Sequence, residues 1–343
     1  MLACSAWRKP VGFLVAALSL TTAASTATAT AAKPARAEIP ISRVVMPDGV
    51  VRYTVDVKVG SFGPFPALLD TGSTGLLVLT NAMPAQRFPK VGSFYMTFAS
   101  GEKMTGAISL GTLNIGGLET GGPIRFGAVQ SVDCAAFRPK CAAAIVKPAD
   151  YGIAGDAIAG AGFKAILGIG LDRNLFPNPL TGTGASTWIV KLPNSGTPSG
   201  ALILNPTAAD LEGFKRYPIS RESYHLMGAF RASLPGCLTA PDSGLNLCGQ
   251  VALDTGSPGV FAQVADLPAI ASSHTPQRYA LSLFDGAGKL EIPIEETWKT
   301  KRLVFFQRDV RAASVAINGG VMPYLSYLIF YDFRNNLVGM KPR

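Results

Sequence analysis

The chain is poor in charge, in histidine and in cysteine, and it contains no run of about twenty apolar residues of the kind that crosses a bilayer. Only 15% of its 343 residues are charged while 48% are hydrophobic, which excludes a solvated, disordered polymer. The two histidines, His225 and His274, sit in no catalytic motif, and no G-x-S-x-G elbow accompanies them. A Ser-His-Asp enzyme would therefore lack its base, and both histidines are read as surface or packing residues. The glycines between 152 and 170 form neither G-x-x-x-x-G-K nor G-x-G-x-x-G, which leaves no phosphate-cradling loop. No cysteine pair has the two- to four-residue spacing of a zinc knuckle, so no metal and no other cofactor is expected. No dense Lys/Arg run is interleaved with aromatics; the basic excess is read as a solvated surface, and no nucleic-acid partner is expected. What the chain does have is 37 Gly and 25 Pro without a G-X-Y period, which favours a turn-rich, all-β architecture over a helical bundle.

Arg8 and Lys9 precede the apolar run Val11 to Leu20, and small Ala and Thr residues follow, the order of a secretory signal peptide. The apolar run is about ten residues, short for a membrane span, so no membrane insertion is expected after cleavage. Residues 1–37 are assigned to the signal and its cleavage region, with Ala29, Ala31 and Ala37 as possible cleavage points. Removing them leaves 306 of 343 residues, and the loss of Arg8, Lys9, Lys33 and Arg36 lowers the net charge from +9 to +5. Only about a dozen residues then precede the first strand, so no long propeptide is expected. An exported protein, periplasmic or secreted, is the expectation. Cysteine usage agrees: Cys4 leaves with the signal, and the remaining four fall close in sequence, which favours local disulfides Cys134–Cys141 and Cys237–Cys248.

The informative feature is an internal repeat. Asp70-Thr71-Gly72-Ser73 recurs as Asp254-Thr255-Gly256-Ser257, 184 residues later. Ala67-Leu68-Leu69 precedes the first copy and Val251-Ala252-Leu253 the second, so each Asp is expected at the end of a buried strand where a turn begins. A single Asp-Thr-Gly is ordinary turn chemistry. Two copies in the same setting, half a chain apart, point to two homologous lobes, 38–200 and 201–343, that each present one carboxylate to a shared cleft. Carboxylates about 3 Å apart cannot both ionise easily, so they share a proton, one acting as base on a water and the other as acid. Gly72 and Gly256 permit the tight turns, the Ser73 and Ser257 hydroxyls are placed to bond the carboxylates, and Thr71 and Thr255 to tie the loops together.

With these residues the sequence resembles the pepsin-like aspartic proteases over nearly the whole mature chain. Tyr53-Thr54-Val55-Asp56-Val57-Lys58-Val59-Gly60 is similar to the strand that precedes the family's first motif, and it alternates as a half-buried strand does. Ala165-Ile166-Leu167-Gly168-Ile169-Gly170 and Ile317-Asn318-Gly319-Gly320-Val321 resemble the two hydrophobic-hydrophobic-Gly segments that thread behind the catalytic loops, with Asn318 in place of an apolar residue. Ile329 to Met340 resembles the closing strand pair, and Cys248 the cysteine that ends a disulfide just before the second motif. The resemblance implies an all-β, bilobal fold, a monomer, and an endopeptidase with Asp70 and Asp254 as catalytic dyad acting on extended polypeptide.

It also implies a flap, matched within 92–106 and carrying Phe98, Ala99, Ser100 and Gly101 over the substrate. Here the sequence departs from the family: Phe98 stands where a tyrosine is usual, and Leu77 where its tryptophan partner is usual. Tyr95, three residues before Phe98, falls on the opposite strand face and is no substitute. An apolar flap contact is expected instead, with Phe98, Leu77 and Ile169 as apolar walls of the cleft. The same departures suit a catalytically silent pepsin-fold protein that binds peptide or resembles an inhibitor, whereas the two intact aspartates favour an enzyme. Trp188 and Trp298 are read as core residues.

Overall fold

The computed structural model of the protein describes residues 35–84, 87–172, 175–194, 198–219, 233–273, 275–284, 289–297, 302–309 and 314–343. Most of the expected signal segment, both histidines and Trp298 lie outside the described residues. The chain is built mostly of strands: β1 (Ala37–Val45), β2 (Val51–Val59), β3 (Phe62–Asp70), β4 (Thr74–Leu79), β5 (Lys90–Thr97), β6 (Glu102–Gly111), β7 (Leu113–Ile115), β8 (Leu118–Glu119), β9 (Ile124–Cys134) and β10 (Ala165–Ile169). A single-turn helix, α1 (Pro179–Gly182), precedes β11 (Thr187–Lys191), β12 (Gly200–Leu204) and β13 (Lys215–Pro218). There follow β14 (Ser233–Ala240), β15 (Leu245–Ala252), β16 (Val260–Val264), β17 (Arg278–Phe284), β18 (Lys289–Glu295), β19 (Val304–Arg308), β20 (Val315–Asn318), the short helix α2 (Met322–Ser326), β21 (Tyr327–Asp332) and β22 (Leu337–Pro342). Among the described residues the first strand begins at Ala37, one residue ahead of Glu38.

Among the described residues the strands form two sheets: β14 to β20 make one of seven strands, and all the others make one of fifteen. Sheet membership does not follow the chain at residue 200. Strands β12 and β13 and the closing pair β21–β22 join the larger sheet, where β21 pairs β11 and β12 pairs β1.

One pairing pattern occurs in both sheets. In the larger, β2 and β3 are antiparallel, β10 runs parallel beside β3, β4 is antiparallel to β10, and β9 is parallel to β4. In the smaller, β14, β15, β20, β16 and β19 repeat that succession of antiparallel, parallel, antiparallel and parallel pairs. The two Asp-Thr-Gly-Ser copies occupy the same place in each, between the strands that flank the inserted parallel strand. The repeat in sequence is therefore a repeat in topology.

The core follows the strand periodicity. Val55, Val57 and Val59 of β2 are buried while Asp56 and Lys58 are exposed, as a period of two requires. Trp188 is fully buried and stacks on Tyr331 at 5.9 Å between ring centroids, a core role as expected. Both disulfides are present: Cys134–Cys141 closes a short loop after β9, and Cys237–Cys248 crosses the hairpin β14–β15. No helix among the described residues is long and apolar enough to cross a membrane.

Candidate active site

Asp70 is the last residue of β3, and Asp254 lies two residues beyond β15. Both carboxylates are buried, at 5% and 6% exposure. A Cβ built on Gly256 would sit 2.8 Å from Asp70 Oδ1 and 3.1 Å from Asp254 Oδ1, so those two oxygens are at most 5.9 Å apart. Any side chain at 256 would fill the space between them, which is the physical reason for glycine there.

The loops are held by a reciprocal set of hydrogen bonds. Thr71 N–H donates to Thr255 Oγ1 at 3.1 Å, and Thr255 N–H to Thr71 Oγ1 at 2.9 Å. Each hydroxyl donates in turn to the strand of the other copy, Thr71 to Leu253 O at 3.0 Å and Thr255 to Leu69 O at 2.7 Å. Each carboxylate accepts a backbone N–H from its own turn, Gly72 to Asp70 Oδ1 at 2.7 Å and Gly256 to Asp254 Oδ1 at 2.8 Å. The strand that threads behind each loop is bonded alike, Gly170 N–H to Ser73 O at 2.8 Å and Val321 N–H to Ser257 O at 3.0 Å. Gly168 of β10 passes so close that a Cβ would lie 2.7 Å from Thr74 N.

The symmetry ends at the outer carboxylate oxygens. The Ser73 hydroxyl donates to Asp70 Oδ2 at 2.5 Å, whereas the Ser257 hydroxyl turns away and donates to Gly259 O at 2.8 Å. The expected support of Asp254 by the Ser257 hydroxyl is therefore corrected. Asn318 takes that place, its amide N–H reaching Asp254 Oδ2 at 2.5 Å while its Oδ1 accepts Gly320 N–H at 2.9 Å. In sequence Asn318 registers only as a polar departure from an apolar pattern; nothing in the spacing marks it as a carboxylate partner.

Behind Thr71 lies a buried phenol chain. The Tyr324 hydroxyl, from α2, is 2.6 Å from Thr71 Oγ1 and also contacts the Tyr331 hydroxyl of β21. Thr71 Oγ1 already spends its proton on Leu253 O, so Tyr324 donates to Thr71 and Tyr331 to Tyr324. Burial pushes both phenols well above the usual tyrosine range, with the neighbouring aspartates adding to the effect. These groups stay neutral donors and anchor the first Asp-Thr-Gly-Ser loop to α2 and to β21 of the larger sheet. No short motif announces either tyrosine.

The dyad opens into a cavity of about 1320 Å³. Phe98, Ala99 and Ser100, in the turn between β5 and β6, line it together with the two aspartates. Gly101 continues the turn, where its N–H donates to Phe98 O at 2.9 Å. Phe98 packs on the buried cluster that contains Leu77, Phe94, Met104 and Phe176, so the contact between hairpin tip and first sheet is apolar. Tyr95 points away and is 75% exposed. Leu77 and Ile169, however, are fully interior and do not face the cavity; besides Phe98, its apolar wall is formed by Leu68, Met104, Ile166, Phe261 and Phe305. Alternation accounts for Ile169, which takes the face opposite Ile166; Leu77 pairs with Ile166 and shares its face, but is enclosed there in the cluster with Phe94 and Phe176. No group of metal-ligating side chains occurs among the described residues. Neither a protein-family model nor a characterised relative matches this sequence.

Proposed function

We propose that the protein is an exported aspartic endopeptidase with the pepsin-like bilobal fold, cleaving extended polypeptide through a water held between Asp70 and Asp254. One observation carries this reading: two buried carboxylates, less than 6 Å apart, lie on loops cross-bonded through Thr71 and Thr255, beneath a hairpin that lines the same cavity. The doubled strand pattern around them supports the bilobal assignment, and the two disulfides support export. One chain supplies both carboxylates, in keeping with a monomer.

The chemistry follows from what each oxygen faces. Asn318 can only donate to Asp254, because its carbonyl oxygen is occupied by Gly320 N–H, whereas the Ser73 hydroxyl can donate to Asp70 or accept from it. The proton of the pair is thus assigned to Asp70, and Asp254 acts as base. Asp254 takes a proton from water as the water oxygen bonds to the scissile carbonyl carbon, and Asp70 gives its proton to the carbonyl oxygen. Collapse of the tetrahedral diol breaks the C–N bond as Asp254 passes the proton it took from water to the leaving nitrogen and Asp70 takes a proton back from a diol hydroxyl, leaving a carboxylic acid and an amine. The extended substrate suits a cleft between sheets, where main-chain hydrogen bonds supply affinity.

The test is cleavage of a quenched apolar peptide by the chain from Glu38 across pH 3 to 7, beside Asp70→Asn and Asp254→Asn checked for folding by circular dichroism. Wild type should cut, and each folded variant should lose at least about 10³-fold in kcat/KM. A folded wild type that is inert throughout, and whose Tm a pepstatin-type inhibitor leaves unchanged, would overturn the reading in favour of a silent peptide-binding protein, the role that Phe98 and Leu77 also suit.

A further inference from the structure

Among the described residues, Arg52 is the one arginine lining the catalytic cavity that is more than nine-tenths buried, at 6% exposure. It stands in β2 on the face opposite Val55 and Val57, a face that elsewhere in the strand carries the exposed Asp56 and Lys58. A guanidinium has five N–H donors and holds its charge at any working pH, so burying it demands partners. Its partners here are few. Nη1 donates to Gly256 O at 2.8 Å, in the second catalytic loop; Nη2 reaches Asp156 Oδ2 only at 3.5 Å; and Nε, though buried, has no hydrogen-bond partner. Asp156 is itself 43% exposed, and it sits at φ +47° in a loop where Ala154 and Ala157 are also left-handed, at +57° and +64°. Non-glycine residues held there cost free energy, so the loop is maintained against its backbone preference. A buried positive charge, incompletely neutralised and next to the catalytic loop, is arranged for an anion supplied from the cavity.

Given the endopeptidase reading, on which this rests, we propose that Arg52 is a specificity determinant that receives a carboxylate side chain of the substrate, so that the enzyme selects peptides carrying Glu or Asp at one fixed position near the scissile bond. A carboxylate entering beside Asp156 forms charge-assisted hydrogen bonds with the guanidinium and completes its neutralisation. The gain over an uncharged isostere arises because the guanidinium itself is buried. Arg43, Arg138 and Arg302 also line the cavity, but Arg138 is bonded to Ala99 O and Arg302 to Val304 O and Ala271 O. Glu102, whose Oε2 is buried without a partner, faces the same cavity and is the competing anchor for a cationic side chain.

The experiment scans Glu, Gln and Lys through each position of an apolar peptide, measuring kcat/KM with wild type, Arg52→Gln and Arg52→Glu. Binding of the same peptides to Asp70→Asn is measured in parallel. At one position wild type should prefer Glu over Gln by about 10- to 100-fold. Arg52→Gln should bring that ratio to about one, and Arg52→Glu should turn it towards Lys; because a ratio is read, partial misfolding of a variant does not imitate the result. Cleavage with no Glu preference, or with a preference for Lys alone, overturns the role of Arg52 and leaves the protease reading standing. A Glu preference in binding to Asp70→Asn without cleavage by wild type does the reverse. Absence of both binding and cleavage removes both.

Discussion

The two aspartates differ in what bonds their outer oxygens: Ser73 serves Asp70, while Asn318, 64 residues from Asp254 in sequence, serves the other. Replacing Asn318 by Leu removes a donor to Asp254 and strands Gly320 N–H inside the protein. Losing such buried partners costs on the order of 1–3 kcal/mol in stability. On the proposed mechanism the sharper consequence is catalytic, since a positioned donor to Asp254 is lost, and kcat should fall by about 10- to 100-fold with KM little changed. Steady-state kinetics on the folded variant decide it; unaltered kcat would show that Asn318 merely fills space. The pair Asp70 and Asp254 was legible in the sequence because each lies within a contiguous motif. Arg52 and Asn318 were not, because their roles arise from contacts made across 204 and 64 residues.

Among the elements, the hairpin β5–β6 depends on what lies beneath its turn. Glu102 pairs with Cys134 in the β6–β9 ladder, Ala135 N–H donates to Gly101 O at 2.8 Å, and Arg138 reaches Ala99 O at 3.3 Å. All these contacts come from the short loop closed by Cys134–Cys141. The bridge therefore braces the turn that lines the cavity. Converting both cysteines to serine should lower stability by about 2 kcal/mol, from the entropy of an eight-residue loop. It should also raise KM for peptide several-fold more than it lowers kcat, because the turn loses its seat while the dyad does not. Equal effects on both parameters would place the loop's influence elsewhere. Composition and spacing made these local disulfides readable, but not that one of them supports the hairpin.

In the molecule as a whole, the two sheets meet through a hydrogen-bonded core in which Thr71, Thr255, Tyr324 and Tyr331 are all buried. Ionisation of this core limits alkaline stability. Tyr324 and Tyr331 are raised by burial, and Tyr279 of β17 is pushed up to about 12 for the same reason. A folded value above that of the unfolded chain means that the stabilising contribution is complete below about pH 10 and is lost as pH rises through the folded values. Tm should therefore be flat through neutrality and fall above about pH 10, with tyrosinate absorbance rising together with the loss of strand circular dichroism. Tyrosinate from Tyr324 or Tyr331 in a still-folded protein would contradict the burial argument.

Reading along the chain was enough for strand content, local disulfide pairing and the two repeated aspartates, because each depends on periodicity, proximity or contiguous residues. Position within the sheets was a matter of folding. Leu77 and Ile169 are apolar like the cavity wall, yet neither lines it: Ile169 takes the face opposite Ile166, and Leu77, on the same face as Ile166, is enclosed by Phe94 and Phe176. Strands β12, β13, β21 and β22 follow residue 199 in sequence and still pair in the larger sheet, since backbone partners are chosen by where the chain returns. Asn318 faces Asp254 for the same reason: a hydrogen bond requires atoms within about 3 Å, and only the folded chain brings residues 64 apart in sequence that close.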